Sequence, residues 1–195
     1  MTSPARHIFR LLAWGRRETS TLHDPLGELD ATHTSSTSSA ILAGGLSAGW
    51  RGRPRPSLTA DVRLDARAER FSPQAGDRGL LTLPALRVAG GGGAELEWRA
   101  AEGLAITASA RLDARRDDAR GSTGADGKTP LGSSSNLAPS GHLGASYRLA
   151  DAAVISAHAG ALGRPPSFQE LYGNGASLVG DAGLRPERAL SADAG

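Results

Sequence analysis

The sequence predicts an all-β fold: an antiparallel transmembrane β-barrel segment of about seven or eight long strands, with short turns on one side and long loops on the other. Three observations predict it. Apolar and polar residues alternate strictly over long runs, the connections between runs alternate in length, and the apolar sets keep their parity across the short connections. Successive side chains of a strand point to opposite faces, so a period of two sorts residues by face.

The first candidate strand, near His7 to Arg16, has the least distinct faces. Ala40 to Trp50 is apolar with glycine and other small residues. From Leu58 to Glu69 the pattern is complete. Leu58, Ala60, Val62, Leu64, Ala66 and Ala68 form one face, and Thr59, Asp61, Arg63, Asp65, Arg67 and Glu69 form the other. A weaker version runs from Leu86 to Arg99. Leu104 to Arg115 repeats the full pattern, with Thr107, Ser109, Arg111, Asp113 and Arg115 on its polar side. His142–Leu149 and Ala153–Ala161 follow, and Ala189 to Gly195 begins to alternate again.

The short links are Arg51–Ser57, Arg99–Gly103 and Ala150–Ala152; the long ones are Thr19–Thr32, Ser72–Leu83, Arg116–Leu137 and Gly163–Arg188. The long links are rich in Gly, Ser, Asp, Asn and Pro, as loops require. Trp50 shares parity with Leu58, Trp98 with Leu104, and Tyr147 with Ala153, so each hairpin keeps its apolar residues on one side. A slip of one residue would put them on opposite sides. Trp50, Trp98 and Tyr147 all precede short turns, which is where an interfacial girdle of aromatic rings belongs.

Composition narrows the function. Of the 195 residues 39% are hydrophobic but only 4% aromatic, and many of the apolar residues are alanine, which suits a lipid-facing wall better than a compact soluble core. There is no cysteine, so disulfides and thiolate metal sites are excluded. The formal net charge of +2 gives no case for nucleic acid. No apolar run is long enough for a transmembrane helix, and Met1 to Arg10 lacks a signal peptide's apolar segment. Five histidines are present. Only His142 and His158 fall on polar faces of strands joined by a short turn, and they read as wet neighbours rather than a metal centre. Gly90 to Gly93 lies inside an alternating strand and reads as a close backbone approach, not a phosphate loop. Acidic residues alternate with arginine, which points to charge pairing across strands; no catalytic pair stands out, so no enzyme and no cofactor is expected.

Residues Gly163 to Gly195 carry the most specific pattern. Arg164, Pro166, Ser167, Phe168, Glu170, Leu171 and Tyr172 form one part; Gly180, Leu184, Pro186 and Glu187 form the second. Physically, Pro165-Pro166 ends a strand, Ser167 and Glu170 have capping-box spacing, and Phe168 and Leu171 share a face of a short helical turn. Gly173 and Gly175 release that turn, and Pro186 fixes the approach to the last strand. Loop architecture, not ligand contact, is the reading these residues favour.

The two-part pattern resembles the barrel of TonB-dependent receptors, of the vitamin B12 or siderophore type. Asp181-Ala182 departs from the Asn-Pro usual there. The resemblance implies residence in the bacterial outer membrane, contact with its lipid, energised uptake of a small scarce nutrient such as a siderophore–metal chelate or cobalamin, and coupling to the TonB complex through a plug domain. Neither plug nor TonB-contacting box is seen, so residues 1–195 are expected to be a partial barrel domain that does not close alone. A passive porin-like barrel and a soluble or surface β-sheet adhesion protein are the alternatives.

Overall fold

A computed structural model describes residues 7–24, 35–74, 84–119, 132–150, 153–173, 180–181 and 183–195. Eight strands form one sheet: β1 (Ile8–Asp24), β2 (Ser35–Arg55), β3 (Leu58–Gln74), β4 (Ala85–Ala101), β5 (Leu104–Ala119), β6 (Gly132–Ala150), β7 (Ala153–Arg164) and β8 (Glu187–Ala194). A single short helix, α1 (Phe168–Tyr172), is described between β7 and β8. Each strand pairs antiparallel with its sequence neighbours, in the order β1 to β8. β1 and β8 do not pair with each other, so the sheet is open. No described helix is long and apolar enough to cross a membrane.

The alternating runs are the centres of strands that extend further than alternation alone marks. β1 continues through Asp24, β3 reaches Gln74, β5 reaches Ala119 and β6 begins at Gly132, so the first parts of the expected loops Thr19–Thr32 and Ser72–Leu83, and both ends of Arg116–Leu137, are strand. Backbone pairing continues where face patterning fades, because a ladder of hydrogen bonds needs neighbours and not amphipathicity. The short links shrink correspondingly. Only Pro56-Ser57 and Glu102-Gly103 remain between the strands they join, each beside a register shift, at Gly52/Arg55 and Arg99/Ala101. Gly103 has φ of +77°, the left-handed value a tight hairpin demands. The turn carbonyls are stitched to the next hairpin: Arg99 N–H donates to Ser57 O at 2.8 Å and Arg148 N–H to Gly103 O at 2.9 Å.

Register confirms the shared apolar face. Phe9, Trp50, Val62, Ala94 and Ala110 occupy one row across β1–β5, and Leu58, Trp98, Ile106 and Ala145 occupy another across β3–β6. Among the described residues, charged ones enter this face toward the strand ends: Arg17, Arg70, Arg116, Asp118 and Arg188 at the loop end by strand parity, and Arg55 at the turn end by its pairing with Leu58. The opposite face holds the arginines and carboxylates and is concave, since Asp61 of β3 and Leu162 of β7 line the same groove.

Core burial sits at the loop end of this concave polar face. The buried cluster comprises Phe71, Ala85 and Ala119 from β3, β4 and β5 with Phe168, Leu171 and Tyr172 of α1. The apolar face has no such cover: its leucines Leu64, Leu112 and Leu143 are 58%, 50% and 59% exposed. Leucine exposed in that proportion along a whole sheet face marks a surface built for an apolar surrounding.

Candidate functional site

β7 ends at Arg164 because Pro165 and Pro166 supply no N–H to a ladder. Ser167 then caps α1 with extended backbone. Its hydroxyl accepts from Glu170 N–H at 3.3 Å, and the Glu170 carboxylate accepts from Ser167 N–H at 2.7 Å, completing the capping box that the spacing predicts. Gly173, with φ of +77°, ends the helix and donates to Gln169 O.

Helix α1 lies across the loop ends of β3, β4 and β5 on the concave face. Phe168 stacks on Phe71 with ring centroids 5.4 Å apart and planes 9° from parallel. Phe71, Ala85 and Ala119 form one continuous row of the sheet, a small apolar floor among charged positions. The next row inward is Glu69, Arg87 and Asp117. Arg87 lies over the Phe168 ring at 4.2 Å, donates from Nε to Asp117 Oδ1 at 2.6 Å, and donates to the Pro166 carbonyl at 3.2 Å. Arg115 donates to the same carbonyl at 2.6 Å. Asp117 is fully buried and Arg87 and Arg115 nearly so, which is tolerable only because the charges pair with one another and with that carbonyl. Nε and Nη2 of Arg115 find no hydrogen-bond acceptor among the described residues.

The second half of the motif returns to the first. Asp181 N–H donates to Glu170 O at 2.9 Å, and the Asp181 carboxylate accepts from Gly183 N–H at 2.8 Å. Gly180 lies so close to the end of α1 that a Cβ there would fall 2.5 Å from both Leu171 O and Tyr172 N. Arg164 joins both halves: it contacts Glu170 Oε1 at 2.9 Å and Glu187 Oε1 at 2.8 Å. That guanidinium, helped by the Ser167 N–H, holds the Glu170 carboxyl down at about 2. Burial, reinforced by Asp117, pushes the Tyr172 phenol up to about 12.

Arg164, Pro166, Ser167, Phe168, Glu170, Leu171, Tyr172 and Glu187 are thus gathered at one place. Leu184 stays 40% exposed, with its N–H donating to Asp181 O, and Pro186 immediately precedes β8. Trp50, Trp98 and Tyr147 lie on the opposite, apolar face near the short turns; Trp98 and Tyr147 are 49% and 47% exposed, and Trp50 stacks with His7 at 5.8 Å. The site also uses Phe71, Arg87, Arg115, Asp117 and Gly180. Phe71, an apolar residue at a polar-face position, is the signal that would have found the floor.

Most ion pairs differ from expectation. Arg63–Asp61, Arg67–Glu69, Arg99–Glu97, Arg111–Asp113 and Arg115–Asp117 form along a single strand between residues two apart. On one face such residues are adjacent. Cross-strand pairs are fewer: Arg87–Asp117, Arg87–Glu69, Arg111–Asp65 and Arg164–Glu187. Arg111 reaches Asp65 across the whole width of β4. Gly91 sits between Asp65 and Asp113 in register, and a Cβ there would collide with the Arg111 guanidinium. The glycine run therefore serves a close approach, by side chains from both neighbouring strands.

A wall of long antiparallel strands with a charged concave face and an exposed apolar face defines a segment of an outer-membrane β-barrel. The chain belongs to the TonB dependent receptor-like, beta-barrel family, whose model matches residues 13–195. No curated protein sequence matches the chain. Among solved structures it is similar to the copper transporter OprC, with TM-score 0.76 and 16% identity over 95% of this chain and 32% of that one. It is also similar to the FrpB iron transporter from Neisseria meningitidis (F3-3 variant), with TM-score 0.54 and 17% identity over 81% of this chain and 26% of that one. The chain therefore spans about a third or less of these structures. The family and both neighbours are receptors and transporters, not enzymes.

Proposed function

We propose that the chain supplies eight consecutive strands of the wall of a larger receptor barrel that takes up a scarce metal-containing nutrient, a siderophore–metal chelate or cobalamin, with energy from the TonB complex. The observation that carries this reading is the packing of α1 onto the loop end of the concave face, which in a closed barrel would narrow the mouth of its lumen. Family membership and the named metal transporters among its structural neighbours support it. The open edges of β1 and β8 support a larger barrel, because unpaired strand edges in lipid cost several kcal/mol per group. In this reading the exposed leucines face lipid, Trp50, Trp98 and Tyr147 form the girdle at the short-turn interface, and Arg17, Arg70, Arg116 and Asp118 mark the other edge of the apolar band. α1 and its motif are architectural: they fix the mouth, and ligand specificity lies in the loops around it.

Uptake of radiolabelled iron chelates and cobalamin by cells with and without the gene, each in backgrounds with and without functional TonB, tests this. Loss of uptake of one nutrient in both deletions is expected. Uptake that survives TonB loss but not gene loss would indicate a passive pore and sink the energised reading.

A further inference from the structure

His142 and His158 occupy a patch whose composition is set by register across four strands. One row reads Thr107, Gly144, His158 and Asp193 on β5 to β8; the adjacent row reads Ser109, His142, Gly160 and Ser191. Each imidazole thus faces a glycine on the neighbouring strand, and the two rings stack on the diagonal, with centroids 5.3 Å apart and planes 14° from parallel. The glycines are needed. A Cβ at Gly144 would collide with Nδ1 of His158 and come within 2.9 Å of Thr107 Oγ1; one at Gly160 would lie 3.6 Å from His142 Cδ2. Everything else in the two rows is a hydroxyl or a carboxylate, on the concave face.

We propose that this patch is a binding site for a borderline transition-metal dication, Cu²⁺, Ni²⁺ or Zn²⁺, held by His142 and His158 with Asp193 as an oxygen ligand and water completing the shell. Among the described residues no three ligating groups converge as they stand. The stacked rings hold their in-plane lone pairs apart, and a shared ion needs both nitrogens turned toward one point roughly 2 Å from each. Gly144 and Gly160 themselves put no side chain in the way of a rotamer change. Directly opposed cross-strand residues have Cβ atoms about 5 Å apart, which places the Asp193 carboxylate within reach of the ion beside His158. Imidazole with a hard oxygen suits these ions rather than Mg²⁺ or Ca²⁺, and the affinity order favours Cu²⁺ as the probe. Two protein nitrogens and an otherwise solvated ion make a weak, exchangeable site, and it stands independently of which nutrient the receptor carries.

The test uses the full chain in detergent micelles, with Cu²⁺ as the only added metal and the pH held fixed, because metal binding competes with protons. The copper electron paramagnetic resonance spectrum should show two equatorial nitrogens. His142→Ala and His158→Ala should each reduce this to one and weaken binding by roughly tenfold or more. Asp193→Asn should weaken binding with both nitrogens retained. In the unsubstituted chain, Cu²⁺ should protect His142 and His158 together from diethylpyrocarbonate, a readout that needs no variant to fold. Protection of His7, His23 or His33 instead, or an unchanged spectrum in the double alanine variant, overturns the proposal.

Discussion

Gly180 and Phe168 decide whether the mouth segment keeps its place. A methyl group at position 180 meets backbone atoms of α1 at 2.5 Å, and backbone cannot turn aside as a side chain can. Gly180→Ala should therefore detach Gly180 and Asp181 from α1, read as loss of hydrogen-exchange protection at Asp181 N–H, whose acceptor is Glu170 O. Phe168→Ala removes the ring stacked on Phe71 and under Arg87, and should destabilise the segment by about 3 kcal/mol. Its effect should exceed that of Ser167→Ala, which removes one half of the cap at about 1 kcal/mol. Thermal unfolding of the refolded variants gives both values. The contrast with Gly91→Ala is instructive: there the obstacles are the Asp113 carboxylate and the far end of Arg111, so side chains can move, at the expense of the Arg111–Asp65 bridge. That substitution should loosen pairing between β3 and β5 across β4 without unfolding the sheet.

The connection between β7 and β8 has its own dependence on pH. The Glu170 carboxyl is held at about 2, below its ordinary 4.5, so its contribution to the folded segment is complete above about 4.5 and disappears as pH falls from there through 2. The Tyr172 phenol is raised from 10.0 to about 12, so the neutral form stabilises the fold below pH 10, and that contribution is lost as pH rises through 12. A phenolate absorbance titration should show Tyr172 ionising late, together with release of α1; ionisation at the ordinary value with α1 still docked would contradict its burial. Much of this element was legible. Pro165-Pro166, the Ser167–Glu170 spacing and the Phe168–Leu171 pair were enough to place a capped helical turn with a buried face. Its destination was not. The partners Phe71, Ala85, Asp117 and Ala119 lie at strand ends where alternation weakens, and Asp117 and Ala119 fell within a segment read as loop. Neither spacing nor parity says which strands a returning loop will cross.

At the scale of the whole molecule, strand number, order and facing followed from period-two patterning and the parity of three short links, since one slip would invert a face. Strand length did not, because hydrogen bonding continues beyond the apolar band. β1 to β6 hold 16 to 21 residues, whereas crossing the hydrocarbon needs roughly 9–11. The surplus stands at the loop end, where α1 docks. The larger barrel proposed for this wall predicts that β1 and β8 are paired in the mature receptor. Cysteine pairs placed between either edge strand and its adjoining strand should form disulfides in membranes; edges that remain reactive to water-soluble thiol reagents would argue against it.

The ion pairs formed along single strands bear on how such a wall is assembled. Asp61 with Arg63, Glu97 with Arg99 and Asp113 with Arg111 are matched before any neighbour arrives. A strand that neutralises itself has no electrostatic preference for the strand beside it, so charge contributes little to choosing a partner or a register. That choice is left to the tight turns, to the side chains lying over opposed glycines, and to the few bridges that span strands. Hairpins of this kind are interchangeable in their charge and individual in their shape, which lets barrels lengthen by duplication of a hairpin without rewriting the polarity of those already present.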